Sequence, residues 1–234
     1  DNDNDPKNGP IDMGGGQYLV FAEDGTATMQ DADGNVLIEY YDPFAADAVL
    51  KVYATGIRNA YDLVWHSNGN LYAPTNGSAA GGVTPDDPST AYNEGLINVG
   101  IEDDWLFKVE EGGYYGHPNP MHDEYILNGG NPTAGEDTNE TDEYAVGTNP
   151  DSNYAIDDAY SLGTNRSPNG AIEYTSNIFG ATLDGSLLFV EYSGGDDIRW
   201  ITLDEEGNVS NDNVLRDVDG NVISYVDPLD IIEN

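Results

Sequence analysis

The chain has 234 residues, with 7 Lys or Arg against 44 Asp or Glu and a formal charge of −37. Hydrophobic residues at 38% and aromatics at 10% give a globular composition rather than a disordered one, while the scarcity of basic side chains excludes nucleic acid and anionic lipid as partners. With no Cys there is no disulfide framework, thiolate metal site or cysteine nucleophile, and no apolar run reaches the ~18–20 residues of a membrane-spanning helix.

An excess of carboxylates costs little in concentrated salt and supplies ligands where calcium is abundant. Both conditions point to a secreted or cell-surface protein in a saline setting. The chain opens on Asp1 rather than Met, so it is read as a piece of a longer, processed protein.

Residues 1–16 read as an Asp/Asn-rich linker. Asp1, Asp3, Asp5 and Asp12 occupy positions 1, 3, 5 and 12 of an EF-hand-like loop, although Pro6 stands where that loop needs Gly. They are candidate calcium ligands; a solvated linker is the plainer reading. Residues 17–234 read as one all-β body. Strand-like runs occur at Gln17–Ala22, Val36–Tyr41, Val49–Ala54, Asp62–His66, Asn70–Ala73, Trp105–Val109, Ala171–Tyr174, Ser186–Tyr192, Ile198–Leu203 and Val222–Tyr225. Between them, Asp33-Gly34-Asn35, Asn68-Gly69-Asn70, Asp184-Gly185, Glu206-Gly207-Asn208 and Asp219-Gly220-Asn221 supply the positive φ of tight hairpins.

No segment holds a helical period. The strand–turn–strand clause recurs at Asp62–Ala73 and Ile178–Tyr192, which predicts a β-propeller of four-stranded antiparallel blades. At about 40–50 residues per blade the chain holds a partial set. Two long irregular stretches, 76–103 and 118–167, read as loops on one face.

Gly56-Ile57-Arg58-Asn59-Ala60-Tyr61-Asp62-Leu63, then His66–Tyr72, Asp104–Val109, Gly112-Gly113-Tyr114-Tyr115-Gly116-His117-Pro118 and Ser167–Tyr174 through Leu187–Arg199, resemble the soluble quinoprotein glucose/sorbosone dehydrogenase family. The likeness spans roughly Val52 to Asn234 and extends to a branch found in large modular secreted bacterial proteins. It implies a six-bladed propeller and oxidation of an aldose by pyrroloquinoline quinone (PQQ) held on calcium. It places Arg58 and Asn59 against the quinone, and it places Asn76, Gly77, Ser78, Asp103 and Asp104 around the calcium. A structural ion pair is the competing role for Arg58.

Other features of that pattern are missing. Residues 1–55 contain no histidine to serve as the base, and Asp196-Asp197 and Asp227–Asp230 stand where the family places basic residues that clamp the quinone. No catalytic residue is therefore assigned. The expected function is that of a sugar-dehydrogenase-like propeller portion, catalytically incomplete in this stretch, with the remaining blades drawn from the parent chain or a second copy. The alternative is a non-catalytic carbohydrate-binding or adhesion module of a secreted calcium-binding protein. His117 and His122, beside Asp123 and Glu124, read either as metal donors or as loop side chains. Tyr114-Tyr115 read either as a sugar platform or as packing, and His66 reads as a strand cap.

Overall fold

The computed structural model describes residues 10–21, 26–40, 50–78, 80–87, 95–125, 127, 153–155, 159–178 and 182–233. They form an all-β protein with no α-helix among them and a 3-10 turn at Pro120–His122. Two compact units divide the chain, residues 1–53 with 120–123 and residues 54–119 with 124–234.

The first unit carries one antiparallel sheet in the order β1 (Ile11–Gly14), β2 (Gln17–Phe21), β3 (Ala27–Asp31) and β4 (Val36–Glu39). No described side chain of this sheet is buried, and Val36, Leu37 and Ile38 of the edge strand are exposed.

The second unit holds two further four-stranded antiparallel sheets. One runs β5 (Val64–Trp65), β6 (Leu71–Thr75), β9 (Asp103–Val109) and β10 (Tyr160–Thr164), with the two-stranded pair β7 (Gly82–Val83) and β8 (Ile97–Val99) inserted between β6 and β9. The other is a plain meander of β11 (Pro168–Tyr174), β12 (Ser186–Glu191), β13 (Asp197–Leu203) and β14 (Val209–Val214). Alternation decides what meets between them. Val64, Tyr72, Leu106 and Leu162 from the first sheet join Ala171, Leu187, Phe189 and Ile201 from the second in one core. The opposite faces build Ala73, Phe107, Val109 and Tyr115 into a second cluster, and Tyr174, Leu183, Leu188, Val190 and Ile198 into a third.

The turns share one chemical device. Asp31 Oδ1 accepts the N–H groups of Asp33 and Asn35 at 2.9 Å each, ahead of Gly34 at φ 84°. Asp204 and Asp217 repeat this ahead of Gly207 and Gly220. Hydrogen bonds from Asn35 and Asn221, side chain first and then backbone, hold the carboxyls of Asp31 and Asp217 below their ordinary pKa. In the hairpin His66–Asn70 the imidazole replaces the carboxylate: Nδ1 accepts the Asn68 N–H at 3.0 Å, which leaves Nε2 to donate to the Gly185 carbonyl at 3.0 Å. The ring lies edge-on to Tyr72, whose hydroxyl donates to the Gly207 carbonyl at 2.7 Å. His66 is thus a tie between the two sheets as well as the end of a strand.

Several expected boundaries move. Residues 50–54 are irregular where a strand was expected, because their continuation pairs through Thr55 with Gly113 and Tyr115 instead of opening a hairpin. Val222–Tyr225 makes only single bridges, Val222 to Arg216 and Ser224 to Asp197. The stretches read as loops contain β7, β8 and β10, and β1 lies inside the segment read as linker, so Asp12 belongs to a strand. The sheets are open and none closes on itself.

Candidate functional site

The loops at one end of the paired sheets converge because Asp104 binds two of them. Its Oδ1 accepts the Gly77 N–H at 2.8 Å, and its Oδ2 accepts those of Arg166 at 2.6 Å and Ser167 at 2.7 Å. Asn165 and Ser167 there hold left-handed φ values of 54° and 52°, which a non-glycine backbone keeps only when its surroundings over-determine it. Asp103, its neighbour on β9, points to the other face and accepts the Ser161 hydroxyl at 2.5 Å.

Arg58 comes to the same loop from the segment before β5, and its guanidinium donates to the Gly77 carbonyl. Asn59, left-handed at φ 50°, turns its own carbonyl to accept Asn76 Nδ2 at 3.2 Å. The Ser78 carbonyl accepts the Glu102 N–H at 3.2 Å. Arg58 has no ion-pair partner among the described residues, so in a chain this acidic its role is to hold a loop carbonyl. Gly77 is required by space: a Cβ there would stand 2.0 Å from the backbone oxygen of Asp103. Gly77→Ala is therefore expected to displace the 76–78 loop and cost on the order of 2 kcal/mol, read as a lower urea midpoint at unchanged m.

Arg58 and the loop Asn76–Ser78, with Gly56, Trp105, Gly116 and His117, line a hollow of about 10 Å³, close to one water in size. It adjoins a cleft of about 380 Å³ walled by Arg58, Ser78, Val83, Val99, His117 and Leu127. His117 sits at the rim with its N–H bonded to the Gly56 carbonyl at 2.8 Å. Partial burial, and then the charge of Arg58, push its imidazole pKa down, so at neutral pH it is uncharged and offers one donor and one acceptor.

The adjoining loop leads into a buried ionic cluster. Glu191 and Asp197 face each other in register across β12 and β13, both buried. Arg199 Nε lies 3.2 Å from Glu191 Oε1, its Nη1 lies 3.3 Å from Asp212 Oδ1, and its Nη2 donates to the Leu162 carbonyl at 2.7 Å. Arg166 Nη1 reaches Glu191 Oε2 at 3.7 Å, and the Tyr160 hydroxyl donates to Asp212 at 3.1 Å. Burial pushes Glu191 up to about 7 against the pull of Arg199, and Asp197 adds to the rise. The cluster ties β10 to the second sheet.

Of the residues expected at a quinone–calcium site, Arg58, Asn59, Asn76, Gly77, Ser78 and Asp104 do come together, whereas Asp103 faces the other side of β9; Asp1, Asp3 and Asp5, expected in a separate N-terminal calcium loop, lie outside the described residues. Their chemistry does not fit the calcium. The Gly77 carbonyl faces a guanidinium, the Ser78 carbonyl holds an N–H, and both oxygens of Asp104 are taken by backbone donors, so a second cation would meet Arg58 head-on. Nor does a tricarboxylate find its counter-charges, since Arg58 is the one cation among the lining residues of the cleft. Among the described residues no three His, Asp or Glu side chains converge to hold a metal. Asp197 belongs to the buried cluster, and Asp196 bonds the backbone of Tyr225 and Asp227. Glu124, considered beside the histidines, is a buried tie, accepting Thr55 Oγ1 and Asn153 Nδ2 at 2.7 Å each.

Glu191, Arg199, Arg166 and Asp212 were not singled out from the sequence. The signal was present: once β12 is drawn, Leu187, Phe189 and Glu191 share one face, and an acid continuing an apolar stripe requires a buried partner. Compared with known families and with characterised proteins, the chain matches none.

Proposed function

We propose that the chain is part of an extracellular, sugar-dehydrogenase-like β-propeller that, in this stretch, binds rather than oxidises. The single observation that supports it is the convergence of Gly56, Arg58, Asn76–Ser78 and Gly116-His117 on one hollow, with Asn59 and Asp104 bonded to its 76–78 loop, since these are the clauses that carry the resemblance and they lie up to 61 positions apart. The three four-stranded meanders are blade-like units, and the remaining blades come from the parent chain or a second copy. Within this reading the quinone chemistry is ancestral. Arg58 occupies the carbonyl a calcium ion would need, and no base of the family pattern precedes it. Calcium belongs instead to the acidic start, Asp1 to Asp12, whose oxygens are its kind of ligand.

The test is dye reduction with PQQ, calcium and a panel of aldoses, run beside a glycan array. The expected result is no PQQ-dependent turnover and a carbohydrate signal on the array. Turnover by this chain would sink the non-catalytic reading, and a blank array would remove carbohydrate binding.

A further inference from the structure

A second cavity, of about 610 Å³, lies away from the loop cleft, on the outer half of the second sheet. That volume is within the ordinary ~300–1,000 Å³ of small-molecule sites. Its wall is Trp200, with Leu183, Leu215 and Ile223 beside it and the polar side chains of Asn213 and Arg216 at its edge. Trp200 and Asn213 are direct cross-strand partners on β13 and β14, so the indole and the amide stand side by side on one face.

Three features make this a prepared surface rather than a gap in packing. The indole N–H donates to the buried Ser186 hydroxyl at 3.0 Å, which locks the ring before any ligand arrives and removes an ordering cost from binding. Arg216 is anchored by Nη1 to the Gly220 carbonyl at 3.0 Å, and no carboxylate among the described residues pairs with it, so its other N–H groups are available. Asn213 is exposed, and its amide has no hydrogen-bond partner among the described residues.

An aromatic face next to an amide and a guanidinium is the chemistry of a pyranose: the ring's C–H face lies on the indole, and adjacent hydroxyls take paired donors and an acceptor. A purely apolar ligand would leave Asn213 and Arg216 unused. An anionic one would enter beside Asp212, which also lines the cavity, on a chain of charge −37. We infer that this cavity is a binding site for a neutral mono- or disaccharide. The inference rests on the binding reading above and gives it a location separate from the Arg58 cleft.

The experiment follows the three indole N–H signals of the labelled full chain by NMR, assigned by Trp200→Phe, during titration with cellobiose, maltose, xylobiose and diacetylchitobiose, and with glucuronate as an anionic control. A site of this exposure implies a Kd of about 1 mM. The Trp200 signal is expected to shift saturably with at least one neutral sugar, with Trp65 and Trp105 unmoved and glucuronate weaker. The surface double variant Asn213→Ala/Arg216→Ala is expected to weaken binding about tenfold, roughly 1.4 kcal/mol, without altering the circular dichroism. Saturable shifts elsewhere with Trp200 unmoved, or an unchanged affinity in the double variant, would overturn this site and leave the binding reading standing. No shift with any neutral sugar would remove both.

Discussion

Asp104→Ala is expected to be the most damaging single truncation in the second unit, lowering stability by roughly 3–5 kcal/mol. Its carboxylate accepts three backbone N–H groups from two loops, and each bond to a charged acceptor is worth ~1.5–3 kcal/mol, less than additively. Removing it strands those donors and releases Asn165 and Ser167 from left-handed conformations. With ~2–4 °C per kcal/mol at this size, the thermal midpoint should fall by about 10 °C. Asp104→Asn keeps one acceptor oxygen and should lose about half as much. Urea titration of both variants decides it: a loss below about 1 kcal/mol for the alanine variant would mean that the two loops are held by something else.

The second large effect is a pH dependence carried by Glu191. In its cluster three carboxyls, Glu191, Asp197 and Asp212, face two guanidiniums, Arg166 and Arg199, with the Tyr160 hydroxyl on Asp212. A single proton balances the charge. Burial raises Glu191 from 4.5 to about 7, so between these values the native state holds a proton that the unfolded chain has released. The stabilising contribution is complete below about pH 4.5 and is lost as pH rises through about 7, a difference on the order of 3 kcal/mol. Asp31, Asp217 and Glu233, whose pKa values are held low by hydrogen bonds, run the opposite way, keeping their contribution above the ordinary carboxylate range and losing it in acid.

Glu191→Gln separates the two trends. The amide fills the same space without ionising, so the variant should match the native chain near pH 4.5 and exceed it near pH 8. Urea midpoints across that range measure it, and parallel curves for the two proteins would show that Glu191 does not hold the proton. The cluster also explains why removing a cation is worse than removing the acid: without Arg199, Glu191 and Asp212 lose their nearest positive partner in a buried setting.

Much of the second sheet was legible in the chain. The run Ser186–Tyr192 is apolar through Leu187–Val190, as in a strand covered on both faces, and the residues expected there and at Ile198–Leu203 occupy β12 and β13. The glycine turns were read correctly, but their acidic partners were not: Asp31, Asp204 and Asp217, each three residues before Gly-Asn with a gap of two, are the acceptors that close those turns. Short strands such as Gly82–Val83 and Tyr160–Thr164 carried no alternation of their own. They pair because a neighbour offers an edge, and pairing of that kind is non-local.

The −37 charge is where sequence and structure part most clearly. The sequence by itself determined the all-β character, the absence of cysteine chemistry and the hairpin positions, because these depend on residue content and on local backbone preference. Tertiary structure alone decided the duty of the described acids, among them turn acceptor at Asp31, loop tie at Asp104 and buried proton holder at Glu191. It also turned Arg58 from an expected quinone contact into the partner of the Gly77 carbonyl. Ionic and hydrogen-bond roles depend on burial and on partners distant along the chain, and those distances come into being only when the sheets pack.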